Sequence, residues 1–449
     1  MLSEDYRINF HLFDRDELNI FRRTILTWYD DNRRQLPWRR PLVSTSSVNS
    51  YQDKSIVEPI KTKNSVEHAY AVWISEVMCQ QTQVATVINY YTRWIEKFPT
   101  LEALAVSSVE DVNKVWSGLG YYARARRLRE AAIKIMKDFD GKLPESSEEL
   151  RTLPGIGLYT ANAIASIAFN KSVGVVDGNV MRVLARMRLI GADIKVQAVI
   201  SLFWRLANEA VDPDRPGDFN QALMELGAVL CTPQNPNCAA CPVQLLCKAR
   251  KTVEFNLKNK GNKPPHGGGE CLYCGDMKMP CHDVSAFPFK SRKKALREES
   301  FVVCVISVRS GEQPDKTYLI RRRPAKGLLA GLWEFPSVQV NSKACQSRSA
   351  RRRLLAEFLK GANKEVYDIL QKKSFQKSKG YIEHLFSHIR ATYFVEYCEC
   401  QGVTSLTIDC WKWVTESGLK IEALSTAMRK VFTKATEDDQ KYKQTLLEF

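Results

Sequence analysis

The chain has 449 residues, 44% of them hydrophobic and 26% charged, which sets a prior of about three domains with sizeable cores. No run of about 18 apolar residues occurs, which excludes a membrane span. The formal net charge of +16 favours a polyanionic partner, nucleic acid ahead of a membrane surface.

The opening MLSEDYRINF carries early acids and neither an apolar core nor an Arg-rich stretch, so no secretory signal or mitochondrial presequence is expected. From about residue 17 to 250, apolar residues recur at three- and four-residue steps, as in AVWISEVMCQQTQVATVINYYTRWIEKF and ARRLREAAIKIMKDF. That period predicts helices. A Ser-, Asn-, Thr- and Lys-rich stretch at 42–66 reads as an insertion. From 251 to 297 few apolar residues and many turn formers mark a linker. Beyond it FVVCVISV, KTYLI and IRATYFVEY read as strands, and RRRLLAEFLKGA and STAMRKVFTKAT as helices. The architecture is therefore an all-α half, a linker and an α+β domain over 298–436, with a tail at 437–449.

Thirteen cysteines without an export signal argue against a disulfide framework. Cys231, Cys238, Cys241 and Cys247 have the spacing C-x6-C-x2-C-x5-C, and Cys271, Cys274 and Cys281 follow. Thiolates hold iron–sulfur clusters or zinc. Zinc ribbons pair two close knuckles, and the first group has only one close pair, which favours a cluster. The remaining cysteines read mostly as small core residues.

Three other features carry chemistry. Gly155 and Gly157 in LPGIGLYTANAIASIAF form a tight turn before a helix, either a plain helix–helix turn or a phosphate-binding helix start. Asp177 and Asn179 open the next helix, where an Asp serves as an N-cap or as a reactive carboxylate. Glu76 lies on an apolar helix between Trp73 and Val77. It either reaches solvent or carries a raised pKa in an apolar pocket.

Taken together, the Gly hairpin, VVDGNVMRVLAR and the four-cysteine spacing resemble the helix-hairpin-helix DNA glycosylase superfamily, in its endonuclease III and MutY branch. SEVMCQQTQV, GLGYYARARR, LPWRR, RPGDFNQALMELGA and LLAGLWEFP resemble the MutY family of adenine DNA glycosylases, nearest its metazoan type. The resemblance spans nearly the whole chain apart from the insertion and much of the linker. It implies an all-α glycosylase domain with a [4Fe–4S] loop at 1–250, a linker with a zinc motif, and a Nudix-like domain.

The implied activity is hydrolysis of the N-glycosidic bond of adenine mispaired with 8-oxoguanine or guanine in duplex DNA. Bifunctional relatives carry a Lys in the hairpin motif; Tyr159 stands there, which implies a monofunctional enzyme. The resemblance makes Glu76 the acid and Asp177 the sugar-stabilising carboxylate, supported by Asn179 and Tyr159. Trp38, Arg39 and Gln221 would line the adenine pocket, and Gln81 and Tyr121 would intercalate, although Trp38 and Tyr121 also suit ordinary core positions. Cys79 replaces a Leu common in relatives, and TPQNPN lacks a cation between the first two cluster ligands, so no phosphate contact is expected from it.

In the C-terminal domain, RRRLLAEFL lacks the Glu-rich Nudix box that would hold Mg²⁺, so a fold reused for recognition is expected. Phe386, Ser387 and His388 would read 8-oxoguanine, and taken alone they suit a strand-edge turn. The resemblance gives the linker a zinc held by Cys271, Cys274, Cys281 and His11, with His266 and His282 as rival fourth ligands and a metal-free linker as the alternative. It also implies a sliding or checkpoint clamp as partner, a monomer with no membrane contact, and the nucleus as location, with a mitochondrial form an option. The other readings are a different iron–sulfur mismatch glycosylase and a non-catalytic DNA-binding adaptor.

Overall fold

A computed structural model describes residues 10–39, 65–259, 273–274, 283–289, 291, 295–309, 316–324, 326–341, 347–372, 374–401 and 410–447. Among these, no helix is long and apolar enough to cross a membrane. The chain divides into two compact units, one of 1–106 with 130–292, the other of 107–129 with 293–449.

The helices run α1 (Arg15–Asn32), α2 (Ser65–Cys79), α3 (Val84–Lys97), α4 (Leu101–Val106), α5 (Val109–Trp116), α6 (Ala123–Asp138), α7 (Ser147–Leu150), α8 (Leu158–Phe169), α9 (Gly178–Met187), α10 (Gln197–Ala210), α11 (Pro216–Val229) and α12 (Lys248–Asn259). Their starts follow from local chemistry. Asp14 and Glu17 close a capping box on α1, the Asp14 carboxylate accepting from the Glu17 amide at 2.7 Å. Ser108, Ser146 and Asp177 cap α5, α7 and α9, each side chain accepting from the amide three residues on. One core of the first unit joins Phe21 and Ile25 of α1, Val180 and Leu184 of α9, Phe203 of α10 and Phe219 of α11. α2 packs on α8, whose Ala161, Ala163 and Ala165 are fully buried and let the two backbones approach.

Two boundaries differ from the sequence expectation. α12 runs to Asn259, well past residue 251, because Ala249 and Val253 bury one face against Leu189, Val284 and Phe287. Part of the expected linker, 284–287, thus belongs to the first unit's core. The segment 107–129 packs with the C-terminal unit. Ser117 donates to the Leu424 carbonyl at 3.2 Å, and Glu110 pairs with Lys412 at 3.4 Å. Periodicity marks helices and carries no information about such distant partners.

The second unit holds β1 (Arg297–Arg309), β2 (Lys316–Arg322), β3 (Trp333–Glu334), β4 (Ser337–Val340), α13 (Arg348–Ala362), α14 (Lys364–Lys372), β5 (Ser374–Leu385), β6 (Ile389–Gln401), β7 (Trp411–Thr415), α15 (Glu416–Ile421) and α16 (Thr426–Leu447). α16 continues through most of the expected tail. The mixed sheet has the order β3-β2-β1-β6-β5, with β4 on β1 and β7 on β2. β1 and β6 run parallel in the middle, Arg297 opposite Ile389 through to Arg309 opposite Gln401. β1 is therefore buried on both faces, as its unbroken apolar run requires. Leu355 and Leu359 of α13 cover one face with Cys304, Cys398 and Cys400, the small core residues the sequence suggested. Tyr318 and Phe335 meet Phe432 of α16 on the other. Cys410 is exposed, and Cys345 lies outside the described residues.

Candidate active site

Glu76 sits on α2 among buried neighbours, Ser75 and Val77. α8 brings Tyr159 to it, and the Tyr159 hydroxyl donates to Glu76 Oε2 at 2.6 Å. Burial pushes the Glu76 carboxyl up to about 7, and the nearby Asp177 charge adds to that; the Tyr159 hydrogen bond and Arg39 pull the other way. Of the two readings of Glu76, a raised pKa in a pocket is the one this geometry carries. Burial and the two carboxylates also raise the Tyr159 phenol well above its usual value, so it remains a neutral donor.

Asp177 takes the N-cap position that the sequence suggested. As N-cap of α9 it accepts from the Val180 amide at 2.7 Å, and its other oxygen accepts from Asn179 Nδ2 at 2.9 Å. Burial raises its pKa while these donors favour the ionised form. Asn179 is held in turn by Arg182, whose Nη2 donates to Asn179 Oδ1 at 2.8 Å. Gly227 of α11 passes so close that a Cβ there would stand 2.7 Å from the Asn179 Cβ.

Glu76 lines a cavity, and Trp38, Arg39 and Gln221 stand in its wall as well. Trp38 is edge-on to Tyr91 at 5.1 Å, so it is both a core aromatic and a pocket wall. Sequence reading passed over Glu225 and Arg34. Glu225 is buried on α11 and accepts from Arg34 at 2.5 Å and Arg39 at 2.8 Å. Burial would raise its pKa, but the two guanidiniums outweigh burial and hold it low. The pair was legible only as an acid in MELGA and a base in RRQLPW, neither distinctive alone.

Gln81 and Tyr121 do share a signature. Both are exposed non-glycine residues with positive φ, +57° and +48°. This conformation is uncommon and clusters at functional positions. Arg124 lies over the Tyr121 ring at 5.4 Å. Gly155 holds φ +82°, which a Cβ would strain, and Gly157 starts α8 with no side-chain cap, leaving its first-turn amides available.

Cys231, Cys238, Cys241 and Cys247 line one cavity of about 400 Å³, beside Arg186 and Val183 of α9. Arg186, fully buried, donates to Cys231 Sγ at 3.3 Å and to the Thr232 carbonyl at 2.7 Å. Arg182 donates to the Cys231 carbonyl at 2.7 Å. Four thiols around one space with a cation beside them fit a cluster of several irons. Among the described residues, no three His, Cys, Asp or Glu side chains are grouped to hold a metal ion.

Of the zinc candidates, His11 and Cys274 meet, with His11 Nε2 3.6 Å from Cys274 Sγ. His11 is buried and its Nδ1 bonds the Arg188 carbonyl at 2.8 Å, which leaves Nε2 to face the thiol. Cys271, Cys281, His266 and His282 lie outside the described residues, as does most of the 42–66 insertion.

In the second unit, Phe386, Ser387 and His388 form the turn between β5 and β6. Ser387 and His388 are exposed and bond each other at 3.1 Å. α13 carries one carboxylate, Glu357, which points to solvent, while Arg351 pairs with Glu396 at 2.7 Å. The helix packs on the sheet through Leu355 and Leu359, and among the described residues it brings no carboxylate cluster that would hold Mg²⁺.

These features define a base-excision glycosylase fold joined to a Nudix-like domain. A family model described as "HhH-GPD superfamily base excision DNA repair protein" matches residues 74–209, and one described as "NUDIX domain" matches 307–434. The chain is 44% identical to the adenine DNA glycosylase of Homo sapiens, over 94% of this chain and 76% of that protein. It is 36% identical to that of Schizosaccharomyces pombe, over 94% and 90%. A solved thermostable thymine-DNA glycosylase is 25% identical and covers 53% of this chain and 98% of its own, with a TM-score of 0.42.

The chain belongs to the adenine DNA glycosylase family, the MutY family of DNA N-glycosylases. It is a hydrolase of base excision repair acting on DNA.

Proposed function

We propose that this enzyme is a monofunctional glycosylase that removes adenine opposite 8-oxoguanine or guanine, with Glu76 as its acid. The observation that carries this is the Glu76 carboxyl, held at 2.6 Å by Tyr159 and raised to about 7 inside the pocket wall. A carboxylic acid with that pKa still holds a proton near neutral pH.

Adenine must first leave the duplex stack, at a cost of a few kcal/mol. Glu76 then protonates adenine N7. The sugar–base bond breaks with its electron pair on the base, leaving an oxocarbenium-like sugar. Asp177 supplies the nearby anion, with Asn179 fixing its carboxylate and the Val180 amide favouring its ionised form. Water adds to the sugar and its proton passes to Glu76, which restores the acid. Tyr159 has no amine, so a Schiff base cannot form and the strand is not nicked.

Cys231, Cys238, Cys241 and Cys247 are proposed to hold the [4Fe–4S] cluster. Bound there, the cluster would fasten the loop whose Cys231 accepts from Arg182 and Arg186. His11 and Cys274 are proposed as zinc ligands together with Cys271 and Cys281. The Phe386–His388 turn is proposed to read the base opposite adenine, with Phe386 as wedge. The same reading includes a sliding or checkpoint clamp as partner and the nucleus as location.

Glu76→Gln keeps the size of the side chain and removes the acid. Under single turnover it should lose adenine release by about 10²–10⁴-fold while duplex binding persists. Undiminished release by that variant would end the assignment.

A further inference from the structure

The cavity at Glu76 extends along α8 beyond the residues expected to hold the base. Besides Trp38 and Arg39 it is lined by Ser166, Ile167 and Asn170, the last turn and C-cap of α8. α8 starts at the Gly155–Gly157 hairpin, whose uncapped first-turn amides suit a phosphate of the DNA backbone. Twelve helical residues rise about 18 Å. The cavity therefore extends from Glu76 toward the end of α8 remote from the DNA. There Asp214 is exposed, and the Arg215 and Asp218 side chains are 40% and 35% exposed. Arg215 bridges Asp30 at 2.7 Å and Asp218 at 2.8 Å, a pair of ion pairs at the rim. In contrast to the cysteine cavity, this one combines buried Ser75 and Ser166 with a charged, solvated mouth.

We infer that this cavity is a rear exit, through which free adenine leaves while the abasic strand still occupies the front of the enzyme. This rests on the proposed role of Glu76. Cleavage leaves a neutral base in a polar passage, and the bound DNA blocks the way it entered. Arg215, Asp30 and Asp218 are part-exposed, so solvent screens their attraction and their side chains can part to pass a planar base. The passage also accounts for how water reaches a pocket closed by DNA.

The test uses the full-length protein with its metals, an immobilised duplex with an adenine:8-oxoguanine mispair, and label in the adenine. Abasic sites and labelled adenine in the wash are followed together under single turnover. The wild-type protein should shed adenine as fast as abasic sites form, before the DNA dissociates. Asp218→Trp and, independently, Arg33→Trp, at a residue that also lines the cavity, narrow the passage. They should form abasic sites at the wild-type rate yet retain adenine, slowing its release at least tenfold. Asp218→Ala, which breaks the ion pair without filling the rim, should release normally. Wild-type release rates in both Trp variants would overturn the exit, as would wild-type adenine that leaves only with the DNA. If the wild-type protein forms no abasic sites, the proposed function itself fails, and the exit with it.

Discussion

At the residue scale, the proposed site depends on one half-buried acid being kept protonated by its surroundings. Glu76 departs from the usual carboxylate value of 4.5 to about 7 because burial outweighs the Tyr159 hydrogen bond. Two pH effects follow. The acid must carry its proton, so the single-turnover rate should fall as pH rises through about 7. The folded state also binds this proton more tightly than the unfolded chain. Its contribution to stability is full below pH 4.5 and is lost as pH rises through about 7. Glu76→Gln, which cannot ionise, should therefore gain stability over the wild type at pH 8 and little at pH 4. Denaturant melts at the two pH values check this; a variant destabilised equally at both would mean that Glu76 is an ordinary packed residue.

The same scale shows what a sequence can disclose. Glu76, Asp177 and Tyr159 were legible as motif residues, but their meeting was not, since Tyr159 and Glu76 lie 83 positions apart. Glu225 escaped notice because a helix acid looks alike whether it faces solvent or two arginines. The positive φ of Gln81 and Tyr121 leaves no mark in residue type; turn formers such as Gly or Asn would have announced it.

At the element scale, α9 ties the proposed catalytic residues to the four-cysteine loop. Asp177 caps its start, Arg182 reaches Asn179 and the Cys231 carbonyl, and Arg186 reaches Cys231 Sγ one turn later. α11 seats this helix through Gly227, where any side chain collides with Asn179. Gly227→Ala should therefore displace Asn179 and slow adenine release by about tenfold or more, with iron content unchanged. Normal catalysis by this variant would show that Asn179 is not needed where it stands. The helices themselves were legible from periodicity and caps. The ends of α12 and α16 were not, because burial against distant segments, rather than local composition, carries them on.

At the scale of the whole molecule, the charge has an address. Of the net +16, most falls in 287–353, and Arg124, Arg126, Arg127 and Arg129 form a second cluster beside Tyr121. Duplex binding should weaken steeply with salt, each phosphate contact adding about 0.9 to the log–log slope. Phosphate contacts carry no base information, so selectivity must come from elsewhere. Replacing Ser387 and His388 together should erode the preference for 8-oxoguanine over guanine with little change in the salt slope. An unchanged preference would remove the β5–β6 turn from the reading role. The two-domain plan was legible in the change of hydrophobic period near residue 298; the packing of 107–129 with the C-terminal unit was not, because it rests on contacts with residues some 300 positions away.

The central claim is hydrolysis of adenine without strand cleavage, driven by Glu76. It is tested most directly by strand scission of a duplex with one adenine:8-oxoguanine mispair, assayed with and without alkali for the wild type and Glu76→Gln. The account predicts wild-type scission only after alkali, and none from the variant under either condition. Scission by the wild type without alkali, or alkali-dependent scission by the variant at the wild-type rate, would contradict it.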